Sequence, residues 1–252
     1  MIMNTISVVT IAKNEGRNIA AFLQTVLGWV DEIIIVDNNS TDQTAHIANQ
    51  YKAKVFKNKS THLGKLKNYA LSKATKDWIL LLDVDEHVSI QLHKEIQIVL
   101  RGKTEFDGFL IPYQNHFLGH SLKVLEHYKK VRLFRKEKGY STDVAVHEEV
   151  VVSGKVGELR GALFHYSYRS IPHIIKKFTH YAHIEARLFY NQGKKTEIKN
   201  LTLYPLHMFW SIFIKDKGYK DGIWGLGLAL CFSYYEFMRY FFLFFLAQKT
   251  DR

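Results

Sequence analysis

The first hundred residues repeat one pattern four times: a short run rich in Ile, Val or Leu, then a longer segment with helical spacing. The runs are ISVVTI (6–11), EIIIVD (32–37), AKVFKN (53–58) and WILLLD (78–83). The segments between and after them are GRNIAAFLQTVLGW (16–29), TDQTAHIANQY (41–51), LGKLKNYALSKA (63–74) and SIQLHKEIQIVL (89–100). Strands alternating with helices of this length specify βαβ units and a parallel sheet. The strands are apolar on both faces, so helices must cover both sides of that sheet. This excludes an all-helical or all-β chain and leaves a Rossmann-like α/β fold.

In an open sheet of that kind, ligands bind beyond the carboxyl ends of the strands. Those ends are unusually polar here. Lys13, Asn14 and Glu15 follow the first run; Asp37, Asn38, Asn39, Ser40, Thr41 and Asp42 follow the second; Asp83, Asp85 and Glu86 follow the fourth. For Asp42 an ordinary helix cap is an equal alternative, because NNSTD precedes a helix. Asp83 and Asp85 are harder to treat as caps. Side chains two apart on an extended backbone share a side, so both carboxylates would face one site and repel each other without a cation. Hard oxygen ligands in that arrangement suit Mg²⁺ or Mn²⁺ bridging a diphosphate.

TIAKNE (10–15), IIIVDNNSTD (33–42), LGKLKNYAL (63–71) and LLLDVDEH (80–87) together resemble the family 2 glycosyltransferases of the GT-A fold, with DVDE similar to their Asp-X-Asp motif. The resemblance spans roughly residues 5–170. With VHEE (146–149) and the basic, aromatic C-terminal part, it is nearest the lipopolysaccharide core glucosyltransferases of the WaaE/LgtF type. It implies a GT-A domain over 1–168, Mg²⁺ or Mn²⁺ as cofactor, and inverting transfer of glucose from UDP-glucose to an inner-core heptose. It also implies the roles of the site residues. Thr10, Glu15 and Asp37 would line the uridine pocket, with Asn39, Lys65 and Lys67 as further donor contacts. The family's diphosphate-contacting Arg-Asn pair is Lys67-Asn68 here, which keeps the charge but loses the fork. Asp83 would lie near the ribose, and Asp85 and His165 would bind the metal. Glu148 would be the general base, with Glu149 as the alternative. Direct displacement needs such a carboxylate to take the acceptor hydroxyl's proton.

Residues 101–168 read as a mixed or antiparallel extension, with strands at GFLIPYQNHF, KVRLFRK, AVHEEVVVSG and ALFHYSY. Beyond them, residues 169–252 form a basic helical extension. The net charge of +11 is concentrated: residues 160–220 carry 11 Lys and Arg against three Asp and Glu. A helix over 171–190 mixes Lys176, Lys177, Tyr181 and Arg187 with aromatic residues, a surface for an anionic glycolipid acceptor. No nucleic-acid motif accompanies it, and nucleic acid is not an expected partner. His173, His180 and His183 have no carboxylate beside them and read as one basic helix face. Two apolar runs, 223–235 and 240–247, are separated by Glu236 and Arg239 and are each too short to span a bilayer. They suit an amphipathic segment at the membrane surface.

The single cysteine, Cys231, allows no internal disulfide, and the N-terminal residues have none of the features of a signal peptide. The expected location is the cytoplasmic face of a bacterial inner membrane. The QXXRW signature of processive synthases is missing, so one sugar per encounter is expected. Two other classes are compatible with the strand ends. A nucleotidyltransferase would need a glycine-rich phosphate loop, and TIAKNEGRN has one glycine; a non-catalytic nucleotide-sugar sensor would need no base.

Overall fold

Ile and Val fill both faces of β1 (Ile6–Ala12) and β2 (Glu32–Asp37), and this burial puts both strands inside a parallel sheet. In the computed structural model, which describes residues 4–125, 128–144, 148–194 and 196–248, β1 pairs in parallel with β2 on one side and with β4 (Trp78–Leu81) on the other. β3 (Lys54–Lys57) extends the sheet beyond β2. Helices α1 (Ile19–Val26), α2 (Thr44–Gln50), α3 (Leu63–Lys73) and α4 (Ile90–Arg101) connect and follow these strands. The order β3-β2-β1-β4 reverses direction between β1 and β4, the switch point at which such sheets bind ligands.

The sheet continues antiparallel. Here β8 (Lys129–Arg135) pairs with β4, and β6 (Gly108–Phe117) pairs with β8. Next come β12 (Leu163–Tyr168) and the short β5 (Glu86–Val88). The hairpin strand β7 (His120–Ser121) and the three-residue β11 (Val156–Glu158) pair with β6, while β9 (Gly139–Ser141) and β10 (Val150–Val152) form a separate ribbon. Two details differ from the expectation. The fourth strand stops at Leu81, and Asp83 to Asp85 form a turn closed by the Glu86 amide on the Asp83 carbonyl at 2.9 Å. The AVHEEVVV strand is reduced to β10, so Glu148 and Glu149 precede it, and residues 145–147 lie outside the described residues.

The described residues fall into two compact units, one drawn from 1–113 and 127–165, the other from 114–126 and 166–252. The first holds two cores, one on each face of the sheet. Phe22, Leu23, Trp78 and Ile96 lie in one; Ile34, Leu66, Ile79 and Phe134 lie in the other. The second unit is helical, with a core of Phe117, Leu122, Val124, Ile174, Phe178, Ile212 and Leu228. It contains α5 (Ile171–Asn191), α6 (Asn200–Trp210) with a π-helical turn at Ser211–Lys215, a 3₁₀ turn at Gly218–Asp221, and α7 (Gly222–Gln248). This second unit also holds the 114–126 segment.

The two apolar runs expected at the C-terminus are one uninterrupted helix. Glu236 and Arg239 do not break α7, because Arg239 bonds Glu236 on its own helix and Glu185 of α5 at 3.0 Å. The segment Gly218–Gln248 is long and apolar enough to cross a membrane by length and composition. Its inward charges are matched by α5 within the protein.

At the start of β2, Glu32 ties three elements together. Its carboxylate accepts from Ser7 Oγ at 2.6 Å, Lys54 Nζ at 2.8 Å and the Thr75 amide at 2.8 Å. Burial alone would raise this carboxyl, but the donors outweigh it and bring the pKa from 4.5 down to about 2. A depressed acid stabilises the fold above pH 4.5 and loses that contribution as pH falls toward 2. The shift corresponds to about 3 kcal/mol. Urea unfolding between pH 2 and 6 is therefore expected to lose roughly that amount across the acid limb, and Glu32→Gln to flatten the dependence.

Candidate active site

Helix α3 presents Gly64, Leu66, Lys67, Ala70 and Leu71 to the interior. Lys67 thus occupies a position that helical spacing would give to an apolar residue, and only 2% of it is exposed. A buried ammonium requires carboxylate partners. Lys67 Nζ lies 2.8 Å from Asp83 Oδ1 and 2.6 Å from Glu148 Oε1. Two local devices hold α3 against the end of β9 at Ser141 and Thr142. An added Cβ on Gly64 would lie 2.1 Å from the Thr142 carbonyl oxygen, so this close approach needs glycine. The Asn68 side chain accepts from the Ser141 amide at 2.9 Å and donates to its carbonyl at 2.7 Å. The structure therefore gives Asn68 a backbone partner across 73 residues of chain.

The other oxygen of Asp83 faces a second buried cation. Arg132 Nη2 is 2.8 Å from Asp83 Oδ2 and also bonds Glu86, while Arg132 Nε donates to the Tyr113 hydroxyl at 2.6 Å. That hydroxyl donates to Glu86 Oε1 at 2.8 Å. The result is a continuous charged chain, Glu148–Lys67–Asp83–Arg132–Glu86, closed by Tyr113. Burial would neutralise Asp83, but Lys67 and Arg132 hold its carboxyl well below the usual range. Burial likewise opposes the charge on Lys67, yet Asp83 and Glu148 raise it. For Glu86, burial pushes the carboxyl up, Arg132 pulls it back and repulsion from Asp83 and Asp85 adds, leaving it at about 7.

Asp85 turns the other way. Antiparallel pairing of β12 with β5 sets His165 opposite Glu86, and His165 Nε2 lies 3.7 Å from Asp85 Oδ2. The Tyr113 ring meets the His165 imidazole edge-on at 5.5 Å. A carboxylate and an imidazole suit Mn²⁺ and are tolerated by Mg²⁺, with substrate oxygens and water completing the shell. Among the described residues no cluster of three or more His, Cys, Asp or Glu is arranged for a metal. The Asp85–His165 pair therefore offers a divalent ion two side-chain ligands.

The loops after β1 and β2 are fastened to each other. Asn14, at φ 56°, donates its amide to Ser40 Oγ at 2.9 Å and accepts the Thr41 amide at 2.8 Å. Asp42 accepts from the Gly16 and Thr44 amides at 2.9 and 3.0 Å, one residue before Gln43, the N-cap of α2. Glu15 accepts from Asn18 at 2.6 Å, Asp37 accepts the Ser40 amide, and Asn39 holds φ 57°. Thr10 is fully enclosed within β1, Lys65 is exposed on α3, and Glu149 is exposed with its amide on Thr142 Oγ1. Lys176, Lys177, Tyr181 and Arg187 belong to α5 of the second unit; Lys176 and Arg187 are exposed and Lys177 bonds Ser167. Arg132 and Tyr113 carry the site's geometry and are missed by the sequence reading. The one signal was an arginine inside the otherwise apolar strand VRLF.

A parallel half-sheet with a polar switch point, extended by antiparallel strands, defines a GT-A-like fold. The same fold is seen in Staphylococcus aureus TarS 1-349 in complex with UDP, which aligns with a TM-score of 0.52 at 15% identity over 98% of this chain and 92% of that one. Residues 7–101 match the model of Glycosyl transferase family 2. An uncharacterized glycosyltransferase of Rickettsia felis is 30% identical over 94% of this chain and 88% of its own. The lipopolysaccharide core biosynthesis glycosyltransferase LpsC of Rhizobium meliloti is 26% identical over 79% and 75%. The chain belongs to the family 2 glycosyltransferases.

Removing Arg132 takes the shared cation from buried Glu86 and partly exposed Asp83, leaving Asp83 only Lys67. Arg132→Leu is expected to cost about 3–5 kcal/mol in urea unfolding. Arg132→Lys should recover part of that, since one ammonium cannot reproduce the two-sided contact.

Proposed function

We propose that the protein transfers one sugar, glucose from UDP-glucose, to a heptose of a lipopolysaccharide inner core, with inversion and with Mg²⁺ or Mn²⁺. The observation that carries this reading is the convergence at one strand edge of the Lys67–Asp83–Glu148 cluster and the Asp85–His165 pair. The UDP complex of TarS and the core-biosynthesis activity named for LpsC support the donor and acceptor classes. The acceptor is lipid-borne, so the protein would act at the cytoplasmic face of the inner membrane.

In this reading the first unit's loops bind the nucleoside through Asp37, Glu15 and Asn39, with Asp83 near the ribose and Lys65 beside the donor. Asp85 and His165 would hold the ion, and such an ion would supply positive charge beside the diphosphate. Glu148 accepts the proton of the acceptor hydroxyl as the hydroxyl oxygen attacks the anomeric carbon from the face opposite the diphosphate. Lys67 fixes the Glu148 carboxylate by one oxygen, so the other is the acceptor of that proton. Lys176, Lys177, Tyr181 and Arg187 offer cationic and aromatic contacts to an anionic glycolipid.

Three outcomes test the reading. UDP release is expected from UDP-glucose only with both a divalent ion and heptose-terminated lipopolysaccharide, in a panel of nucleotide sugars. Release without acceptor dependence, or from another donor, would replace that part of the assignment. Glu148→Gln should keep donor affinity within about twofold while kcat falls by about 10²–10⁴; retained transfer would move the base elsewhere. Asp85→Asn should abolish metal-stimulated donor binding measured by calorimetry, and full binding would sink the metal role.

A further inference from the structure

The second unit exposes an apolar stripe that its own core does not cover. On α6 and the π-helical turn, Leu203, Leu206, Trp210 and Ile214 recur at i, i+3, i+7 and i+11, which places them on one helix face. They are 58%, 65%, 50% and 46% exposed, and Ile223, at the start of α7, is 68% exposed. The opposite face is properly packed: Pro205 and Ile212 are buried, and the Pro205 carbonyl accepts from Ser233 on α7 at 2.8 Å. The stripe is therefore presented by a folded element rather than by a frayed one.

The turn that carries the stripe from α6 to α7 is fixed in place. Asp221 accepts the amides of Lys123 and Val124 at 3.0 and 2.8 Å. A Cβ on Gly225 would lie 1.9 Å from the Gly218 carbonyl oxygen, so the 3₁₀ turn packs directly on the first turn of α7. Around this rigid elbow stand exposed Lys215, Lys217, Lys220 and Tyr219.

This composition selects the occupant. Lysine is depleted where proteins bury each other's surfaces, yet three lysines fall within six residues beside the stripe. Aliphatic side chains with Trp and Tyr at the rim and Lys able to extend outward are the mixture that lies in a lipid headgroup boundary. Positive charge adds attraction to anionic lipid. We propose that the α6 face and the α6–α7 elbow form an interfacial insertion surface for an anionic lipid bilayer. The bilayer contact thus lies on α6 and the elbow, a different place from the basic face of α5. The inference deepens the membrane-surface part of the function above, but its evidence does not depend on sugar transfer.

The test is flotation of the full chain, without nucleotide, on vesicles of phosphatidylcholine alone and with 30% phosphatidylglycerol. The wild type is expected to partition onto the anionic vesicles and to lose affinity in high salt. Leu206→Ser/Ile214→Ser should weaken partitioning at least tenfold, and Lys215→Gln/Lys220→Gln about tenfold on anionic vesicles alone. Circular dichroism and UDP binding check that the variants remain folded. A blue shift of Trp fluorescence on vesicle addition should shrink in Trp210→Phe. Equal partitioning of wild type and stripe variants, or no partitioning of the wild type, would overturn the proposal. So would a wild-type dimer in light scattering that Leu206→Ser/Ile214→Ser dissolves, which would make a second copy the occupant. Intact flotation with failed sugar transfer would count against the transfer reading alone.

Discussion

Two buried cations set the terms on which the sheet-bearing unit of this chain folds. Lys67 and Arg132 are almost fully removed from water, and a charge in that position is tolerable only when carboxylates surround it. The network's members come from helix α3, the turn at Asp83, strands β5, β6 and β8, and Glu148 before β10. Apart from Asp83 and Glu86, which share one turn, these residues are far apart in sequence, so the network forms only when the parallel and antiparallel parts of the sheet have both assembled. The same interactions that complete the fold also fix the orientation of Asp83 and Glu148. Stability and site geometry therefore share residues, and a change to either cation acts on both.

The parallel half of the sheet was legible because its signal is local. Runs such as EIIIVD need burial on both faces, and helical spacing in LGKLKNYAL says which side chains turn inward. The polar strand ends followed from the same logic. The reading of Asp83 and Asp85 as neighbours on one side depended on an extended backbone, and the turn between β4 and β5 sends them to different partners. Three-residue β5 is too short to leave a periodic trace, though its pairing with β12 brings His165 to Asp85. Arg132 stood in plain view inside an apolar strand, but its meaning lies in residues 49 and 46 positions away. Glu236 and Arg239 misled for the same reason: the helix survives them because Glu185 is there, which no window along α7 can reveal.

The loops beyond β1 and β2 show how a strand edge is braced without regular structure. Their amides are satisfied by side chains of the opposite loop, through Asn14, Ser40, Thr41 and Asp42. Asn14 and Asn39 accept left-handed backbone angles, which asparagine tolerates better than most residues. An edge so cross-braced is already ordered, and any ligand meeting it would find little conformational entropy left to lose there.

The division of the chain has a consequence for how such a protein could arise or be cut. The second unit owns residues 114–126, which leave the first unit after β6 begins and return before β8. Phe117, Leu122 and Val124 of that excursion are buried in one cluster with Ile174, Phe178 and Leu228. A chain ending after β12 would keep the excursion but lose everything that covers it, exposing three large apolar side chains on a hairpin. The helical unit is thus interleaved with the sugar-transferase half rather than appended to it, and recombination at a single crossover could neither add nor remove it cleanly.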